Sequence, residues 1–247
     1  MDYTKSTSEA QDTIKIQSKI GAFFDKFNIG TLMNRCGIKK RHGHSIRSLT
    51  ETIFTLPFIG KNFYRGIVIN EDENLDKDAA YNFLKGETHN WRQLLLSLAS
   101  LLFKVFDPLT NDDRESVLII DDSTYDRSRS KRVELLSKVF GHSTRKFLKG
   151  FSMLTLCWSD GASILPLVFS LLSSNDPKNR LCESKKQMHK SCCACKRRHE
   201  VTLRTTGLLE DMLKRALKKG IHARYLHGQL VTMPATMTTL AKHIHII

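Results

Sequence analysis

Hydrophobic positions recur at helical spacing through the first part of the chain. Apolar residues from Ile14 to Phe27 form one amphipathic pattern, and Asn28–Gly30 closes it. A second pattern predicts a helix over Ser45–Phe58, and two further patterns predict helices over Ala79–Leu84 and Trp91–Phe106. The acidic, turn-rich stretch Glu71–Asp78 is predicted to be a solvated connector. An all-α region is therefore expected from residue 1 to residue 110.

A basic loop bounded by glycines, Gly37–His44, precedes the second predicted helix. The segment Leu32–Phe58 is compatible with a helix-turn-helix whose cationic turn docks on DNA phosphates. An ordinary helical hairpin with a charged loop is the alternative, and the sequence favours it over the helix-turn-helix. The N-terminal region is thus a possible DNA-binding region.

The pattern changes at Ser116–Asp126, where Val117-Leu118-Ile119-Ile120 is followed at once by Asp121 and Asp122. Consecutive aliphatic residues, three of them β-branched, predict a buried central strand whose carboxyl end meets solvent. Val133–Phe140 is predicted as a short amphipathic turn. Two apolar runs, Phe151–Trp158 and Ser163–Leu172, flank Asp160-Gly161, a strong hairpin signal.

The remaining sequence predicts an exposed basic insertion, followed by alternating helices and strands. The insertion covers about residues 173–200, and a helix follows over Leu203–Lys219. Ala223–Leu226 begins as a strand, Pro234 opens a helix, and His243–Ile247 alternates as a strand. This order predicts an α/β fold for residues 111–247, with a ribonuclease-H-like mixed sheet after the all-α region.

The net charge of +14 is concentrated in one part of the chain. Residues 123–224 hold 22 Lys and Arg against 8 Asp and Glu, and the other residues balance. Such an excess just after the paired carboxylates indicates a polyanionic partner, although basic side chains can also merely solvate helix faces. No stretch is apolar enough to span a bilayer and no signal peptide is evident, so a cytoplasmic protein without membrane contact is expected.

Four of the six cysteines lie in or beside the basic insertion, which argues against a disulfide framework in a cytoplasmic protein. His189, Cys192, Cys195 and His199 have the spacing H-x2-C-x2-C-x3-H. Zinc sites usually separate two ligand pairs by a longer loop, so free thiols in a linker compete with a zinc knuckle as the interpretation.

The paired carboxylates suggest metal-dependent phosphoryl transfer. In a ribonuclease-H-like sheet the strand after the helix runs parallel to the first strand, and acids at both carboxyl ends can hold two Mg²⁺ ions. Asp122 is the preferred ligand and Asp121 the second, because successive strand residues point to opposite faces. A plain Asp-Asp pair can also cap a turn.

Several motifs together make the chain recognisable. They are Asp121–Lys131, Lys149–Phe151 and Leu154–Gly161, with Gly60–Tyr64 and Asn90–Arg92 upstream. These stretches closely resemble bacterial insertion-sequence transposases of the DDE class. The resemblance implies DNA transposition by a Mg²⁺-dependent nuclease and strand transferase, with Asp122 as a catalytic acid. It also implies binding to transposon ends, as a homodimer or beside an intact transposase.

The cationic residues that follow the carboxylates are the predicted DNA contacts. Flexible cationic side chains suit contacts with phosphates rather than with base edges. These residues are Arg127, Arg129, Lys131 and Arg132, followed by Arg145, Lys146 and Lys149.

The chain departs from the transposase pattern where that family places its second catalytic Asp. The family pattern resembles Tyr-Leu-Leu-Met-Asp-Ser-Trp-Phe-Thr-Met-Pro, whereas Tyr225–Pro234 reads Tyr-Leu-His-Gly-Gln-Leu-Val-Thr-Met-Pro. Codons for Met-Asp-Ser-Trp-Phe that are read one base early encode His-Gly-Gln-Leu-Val, which is the sequence of His227–Val231. This match suggests a pair of compensating frameshifts, which arose by gene decay or by a sequencing error.

The family's third acid, a Glu, is expected beyond Ile247. We therefore expect a truncated or degenerate copy that is inactive, with Mg²⁺ binding weak or lost. The alternative is a catalytically dead DNA-binding fragment that inhibits transposition.

Overall fold

The computed structural model describes residues 3–40, 42–68, 77–110, 114–141, 144–184 and 189–229. The chain divides into two compact units, residues 1–91 and 92–247. Most of the predicted connector 71–78, the helix from Pro234 and the strand His243–Ile247 lie outside the described residues. The predicted division at residue 110 stays a prediction.

The first unit is helical in its described part. Its helices are α1 (Tyr3–Lys26), α2 (Ile29–Arg35), α3 (Ile46–Thr55) and α4 (Lys77–Leu84). Asn28, with φ of 48°, separates α1 from α2, and the Ser45 hydroxyl caps α3 by accepting the Ser48 amide. Residues 36–45 separate α2 from α3, which is longer than the three- to four-residue turn of a helix-turn-helix and favours the hairpin interpretation.

The second unit is built on a five-stranded mixed sheet. Its elements are α5 (Trp91–Phe106), β1 (Val117–Asp126), β2 (Ser137–Gly141), β3 (Lys146–Ser159), β4 (Ile164–Leu172), α6 (Cys193–Glu200), α7 (Thr205–Lys218) and β5 (Tyr225–Gln229). Strand β3 pairs antiparallel with β1, β2 and β4. Strand β5 runs parallel beside β1, with Val117 opposite Tyr225 and Asp121 opposite Gln229. The predicted ribonuclease-H-like α/β class with N-terminal helices is confirmed.

One face of the sheet is buried against α5 and α7. Alternate residues of β1, Leu118 and Ile120, join Leu154, Leu156 and Trp158 of β3 in this core. The helices contribute Leu96, Ala99 and Phe103 from α5, and Leu208, Leu209, Met212, Leu213 and Ala216 from α7. The Phe103 and Trp158 rings meet edge to face at 5.2 Å. This packing fixes which residues further along β1 point toward α7.

Three predicted local structures were wrong. The predicted turn Val133–Phe140 contains the start of β2, and β3 begins at Lys146 rather than at Phe151, because the two segments pair with each other. Strand β1 continues to Asp126, so Asp121 and Asp122 lie within the strand and not at its tip, since β3 is long enough to pair with all of it. The assignment of about residues 173–200 as an insertion stays a prediction; the segment contains α6, and the following residue Val201 packs against Leu135, Leu136 and Phe151.

Candidate active-site cleft

Asp122 lies in a cleft of about 590 Å³ in the second unit, which we call the Asp122 cleft. Thr124 and Ser152 line it beside Asp122, and the Ser152 hydroxyl donates a hydrogen bond to Asp122 Oδ1. The other lining residues are Lys138, Val139, Phe140, Leu172, Ser173, Ser174, Asn175, Leu203, Arg204, Thr205 and Thr206. The predicted catalytic residue is thus half-buried in a polar recess large enough for a substrate group.

Asp121 and Asp122 belong to different faces of β1. Asp122 follows Leu118 and Ile120 at the two-residue period of a strand and lies on the helix-covered face. Asp121 is exposed and faces the same way as Ile119 and its partner Cys157. Burial raises the pKa of the Cys157 thiol, and the negative charge of Asp121 raises it further. The two predicted metal ligands therefore do not converge on one ion.

Two cationic residues that the sequence did not single out line the Asp122 cleft. Lys138 borders the cleft on β2, directly opposite Lys149 of β3, and strand alternation places both side chains on the sheet face that carries Tyr125 and not on the face of Asp122. Arg204 immediately precedes α7, whose N-terminal end carries the positive end of the helix dipole. Lys138 sits in a segment predicted to be a turn, which is why the sequence pattern missed it.

The predicted DNA-contacting residues are dispersed around this end of the sheet. Arg129, Lys131 and Arg132 are exposed in the loop after β1, and Arg127 lies over the Tyr125 ring at 5.0 Å. At the start of that loop, hydrogen bonds from the Ser128 hydroxyl and amide, with the charge of Arg129, lower the pKa of Asp126.

The other three predicted contacts lie on or beside β3. Arg145 has φ of 51°, Lys146 is exposed, and Lys149 is half-buried. None of the seven predicted contacts lines the Asp122 cleft in the described structure.

The donor set in the Asp122 cleft does not fit a two-metal site. Mg²⁺ prefers carboxylate oxygens, and the neighbouring parallel strand Tyr225–Gln229 carries no Asp or Glu. Within the described residues no group of three or more His, Cys, Asp or Glu side chains comes together. Asp122 is the only carboxylate lining this cleft in the described structure.

The zinc knuckle that was weighed as an alternative at His189, Cys192, Cys195 and His199 is not assembled in the described part of the chain. Cys192 precedes α6 and its Sγ accepts the Cys195 amide at 3.2 Å, while His189 Nδ1 lies 2.6 Å from the Ser191 hydroxyl. All six cysteines are free thiols. The His-Cys-Cys-His spacing thus serves helix capping and local turns here.

A family model described as DDE superfamily endonuclease matches residues 67–227. The match covers β1 with Asp122, the sheet around it and α7. The chain belongs to this DDE endonuclease superfamily. No curated protein and no solved structure matches the chain.

Membership of the DDE superfamily sets the class of function. It supports a transposase- or nuclease-type role with DNA as the substrate, in a superfamily whose enzymes generally use divalent metal ions. No helix in the described part of the chain has the length and apolarity needed to cross a bilayer.

Proposed function

We propose that the chain is a DDE transposase of the insertion-sequence type that binds DNA at transposon ends but does not cut it. The observation that supports this is the Asp122 cleft: the family's first acid is held beside cationic residues, and the adjacent parallel strand bears no second acid. The family match ends at His227, the first residue of the run His227–Val231 that departs from the transposase-like pattern. That coincidence supports a degenerate copy of an active gene.

Phosphoryl transfer in this superfamily needs charge at the attacking and leaving oxygens, which two ions held by shared carboxylates supply. Here Asp122 accepts a hydrogen bond from Ser152, and on the neighbouring strand β5 Gly228 lies opposite Ile120 and Gln229 opposite Asp121. Hydroxyl and backbone groups alone do not neutralise two divalent cations. Mg²⁺-dependent transposition is therefore the ancestral activity, and weak or absent Mg²⁺ binding is the expected property of this chain.

DNA binding is expected to persist because it depends on cations and not on the missing acids. Arg204, which lines the cleft, and Lys138, which borders it on β2, are expected to contact phosphates together with Arg129, Lys131 and Arg132 in the loop after β1. Each phosphate contact releases counterions, so the affinity should fall steeply with salt.

The test is duplex DNA binding by the Lys138→Ala/Arg204→Ala double variant across a salt series. We expect weaker binding at every salt concentration and a log–log salt slope shallower by about 2, because two phosphate contacts are lost. Lys218→Ala is the matched control, since Lys218 is exposed at the opposite end of α7 from Arg204 and should leave binding unchanged. A double variant that binds like the wild type would remove the Asp122 cleft from the DNA interface.

An inhibitor of transposition is the second candidate function. A chain that occupies element ends without cutting them, or pairs with an intact transposase, would lower the transposition of an active copy. The observation that favours it is the same contrast between a basic surface and an incomplete set of acids. Preferential binding to terminal inverted repeats over random duplex would support it, whereas equal affinities would leave only nonspecific phosphate contact.

A further inference from the structure

A second cavity, of about 310 Å³, lies in the same unit and is separate from the Asp122 cleft. It is lined by residues from β1, β4, α6 and the start of α5, and we call it the arginine cavity. Tyr125 of β1 lines it, three residues after Asp122 and therefore on the other face of that strand. Its four arginines are Arg92, Arg127, Arg197 and Arg198.

Two of these arginines are paired with carboxylates. Arg92 Nη1 lies 2.6 Å from Glu200 Oε2, and Arg198 Nη2 lies 2.5 Å from Glu134 Oε2. Arg92 also donates to the Ser170 hydroxyl at 3.0 Å. These contacts hold both guanidinium groups in fixed positions at the cavity wall, because bidentate and charge-assisted bonds restrict a long side chain.

Arg197 has no such carboxylate partner among the described residues. Its guanidinium carbon lies 6.0 Å from the centroid of the Phe169 ring, and its Nη2 is buried without a hydrogen-bond acceptor. Arg92 Nε is likewise buried without an acceptor. Burial, and then the positive charge of Arg92, lower the pKa of Arg197. Both N–H groups are closed to solvent, so a ligand in the cavity can reach only the other nitrogen atoms of these guanidinium groups. The Arg197 cation, which has no carboxylate in direct contact among the described residues, attracts an anion there.

The apolar part of the wall of the arginine cavity indicates that a bound anion would also carry an organic group. Val133, Leu135, Phe151, Leu171 and Val201 are apolar, and the volume lies at the lower end of the range for small-molecule sites, about 300–1,000 Å³. A hydrated inorganic ion would leave this apolar surface uncovered. An organic ligand with a phosphate at one end matches both parts, since phosphate oxygens accept forked guanidinium bonds.

We propose that the arginine cavity binds a phosphate monoester of nucleotide size, with its phosphate held by the guanidinium group of Arg197. The organic part lies against the apolar wall beside Phe169. A free mononucleotide and the 5′-phosphate end of a DNA strand both present this chemistry. The site does not depend on metal binding or on the DNA-binding role of the Asp122 cleft.

The first experiment is calorimetric titration of the full chain with dAMP, deoxyadenosine and inorganic phosphate. We expect dAMP to bind more tightly than either part alone, because only dAMP supplies both the anion and the planar organic group. Arg197→Gln should weaken dAMP binding at least roughly tenfold, through the loss of charge-assisted hydrogen bonds. The control Lys196→Gln removes an adjacent exposed charge and should leave binding unchanged.

A second variant separates binding from folding. Ala194→Met fills the arginine cavity without altering a charge and should abolish dAMP binding while the far-ultraviolet circular dichroism spectrum stays native. Arg197→Gln should unfold at or above the wild-type temperature, because it removes a buried charge that has no carboxylate in direct contact among the described residues and that lies near the positive charge of Arg92. Absence of dAMP binding to the wild type, or equal binding by the wild type and Arg197→Gln, would overturn the proposal.

Competition distinguishes the two sources of the phosphate. A 5′-phosphorylated duplex that displaces fluorescent dAMP, when the matching 5′-hydroxyl duplex does not, assigns the arginine cavity to a DNA end. Binding of dAMP with no displacement by either duplex assigns it to a free nucleotide. Both duplexes contact the basic loop alike, so only the terminal phosphate differs between them.

Discussion

Asp121 and Asp122 are chemically identical neighbours, yet β1 gives them different environments. Asp122 accepts the Ser152 hydroxyl beside the core packed by α7, and Asp121 is exposed on the face that holds Cys157. The sequence already favoured Asp122 through strand alternation and transposase resemblance. The sequence did not predict the hydrogen bond from Ser152 to Asp122. That contact depends on the register between β1 and β3, two strands that are far apart in the sequence.

The face assignment predicts how fast Cys157 reacts with a thiol reagent. Asp121→Asn removes a negative charge that raises the pKa of Cys157, so that pKa falls and the thiolate fraction at fixed pH rises. Labelling of Cys157 by iodoacetamide should therefore speed up, as measured by peptide mass spectrometry. Asp122→Asn is the matched control and should leave the rate unchanged; acceleration of equal size in both variants would contradict the face assignment.

At the scale of elements, the β3–β4 hairpin depends on one buried carboxylate. Asp160 Oδ1 accepts the Ala162 amide at 3.0 Å and the Ser163 amide at 2.6 Å, and Gly161 has φ of 85°. These backbone hydrogen bonds, the one from Ser163 first, lower the pKa of Asp160. A lowered folded-state pKa stabilises the protein above the ordinary value of 3.8, and that stability is lost as pH falls through the folded value.

Asp160→Ala should destabilise the fold by about 1–3 kcal/mol near neutral pH, because the backbone amides of Ala162 and Ser163 lose a charged acceptor. Urea unfolding measures this free energy. Asp160→Asn keeps an acceptor but cannot ionise, so its difference from the wild type should shrink as pH falls below about 3.8. A difference that is constant or grows over that acid range would show that the Asp160 charge does not stabilise the turn.

The pairing of β1 with β3 requires a glycine at its end. A Cβ on Gly150 would lie 2.2 Å from the Tyr125 carbonyl oxygen, which belongs to the backbone of the paired strand. Gly150→Ala should cost about 1–3 kcal/mol of unfolding free energy, since the strands must separate. Gly207→Ala, in α7 with nothing within 4 Å, should instead stabilise by about 0.5–1 kcal/mol. Thermal unfolding of both variants is the measurement, and equal shifts in the same direction would contradict the account of Gly150.

Local patterns predicted the elements that carry strong local signals and missed those set by distant partners. The Asp160-Gly161 hairpin, the apolar run of β1 and the amphipathic α7 follow from turn chemistry and periodicity, and the structure has all three. Strand β2 was missed because its apolar residues show neither a long run nor clean alternation, and its strand form comes from pairing with Lys146–Gly150. Helix α6 is short, polar and weakly amphipathic, so the sequence did not predict it. The packing of the following residue, Val201, against Leu135 could not be predicted from the sequence either.

At the scale of the whole molecule, basic residues and carboxylates are unevenly distributed. Residues 123–224 carry an excess of Lys and Arg, whereas strand β5, which pairs with the strand of Asp122, carries no Asp or Glu. Nonspecific attraction to DNA needs only the excess of basic residues, whereas phosphoryl transfer needs carboxylates on neighbouring strands. The account therefore separates binding from cutting, and a single assay on supercoiled DNA measures both.

That assay incubates the purified chain and its Asp122→Ala variant with supercoiled plasmid and Mg²⁺, following retardation and nicking on the same gel. The account predicts that both proteins retard the plasmid and that neither nicks it above the protein-free rate. Mg²⁺-dependent nicking by the wild type that disappears in Asp122→Ala would contradict it, because Asp122 would then hold a working metal centre without a carboxylate on β5.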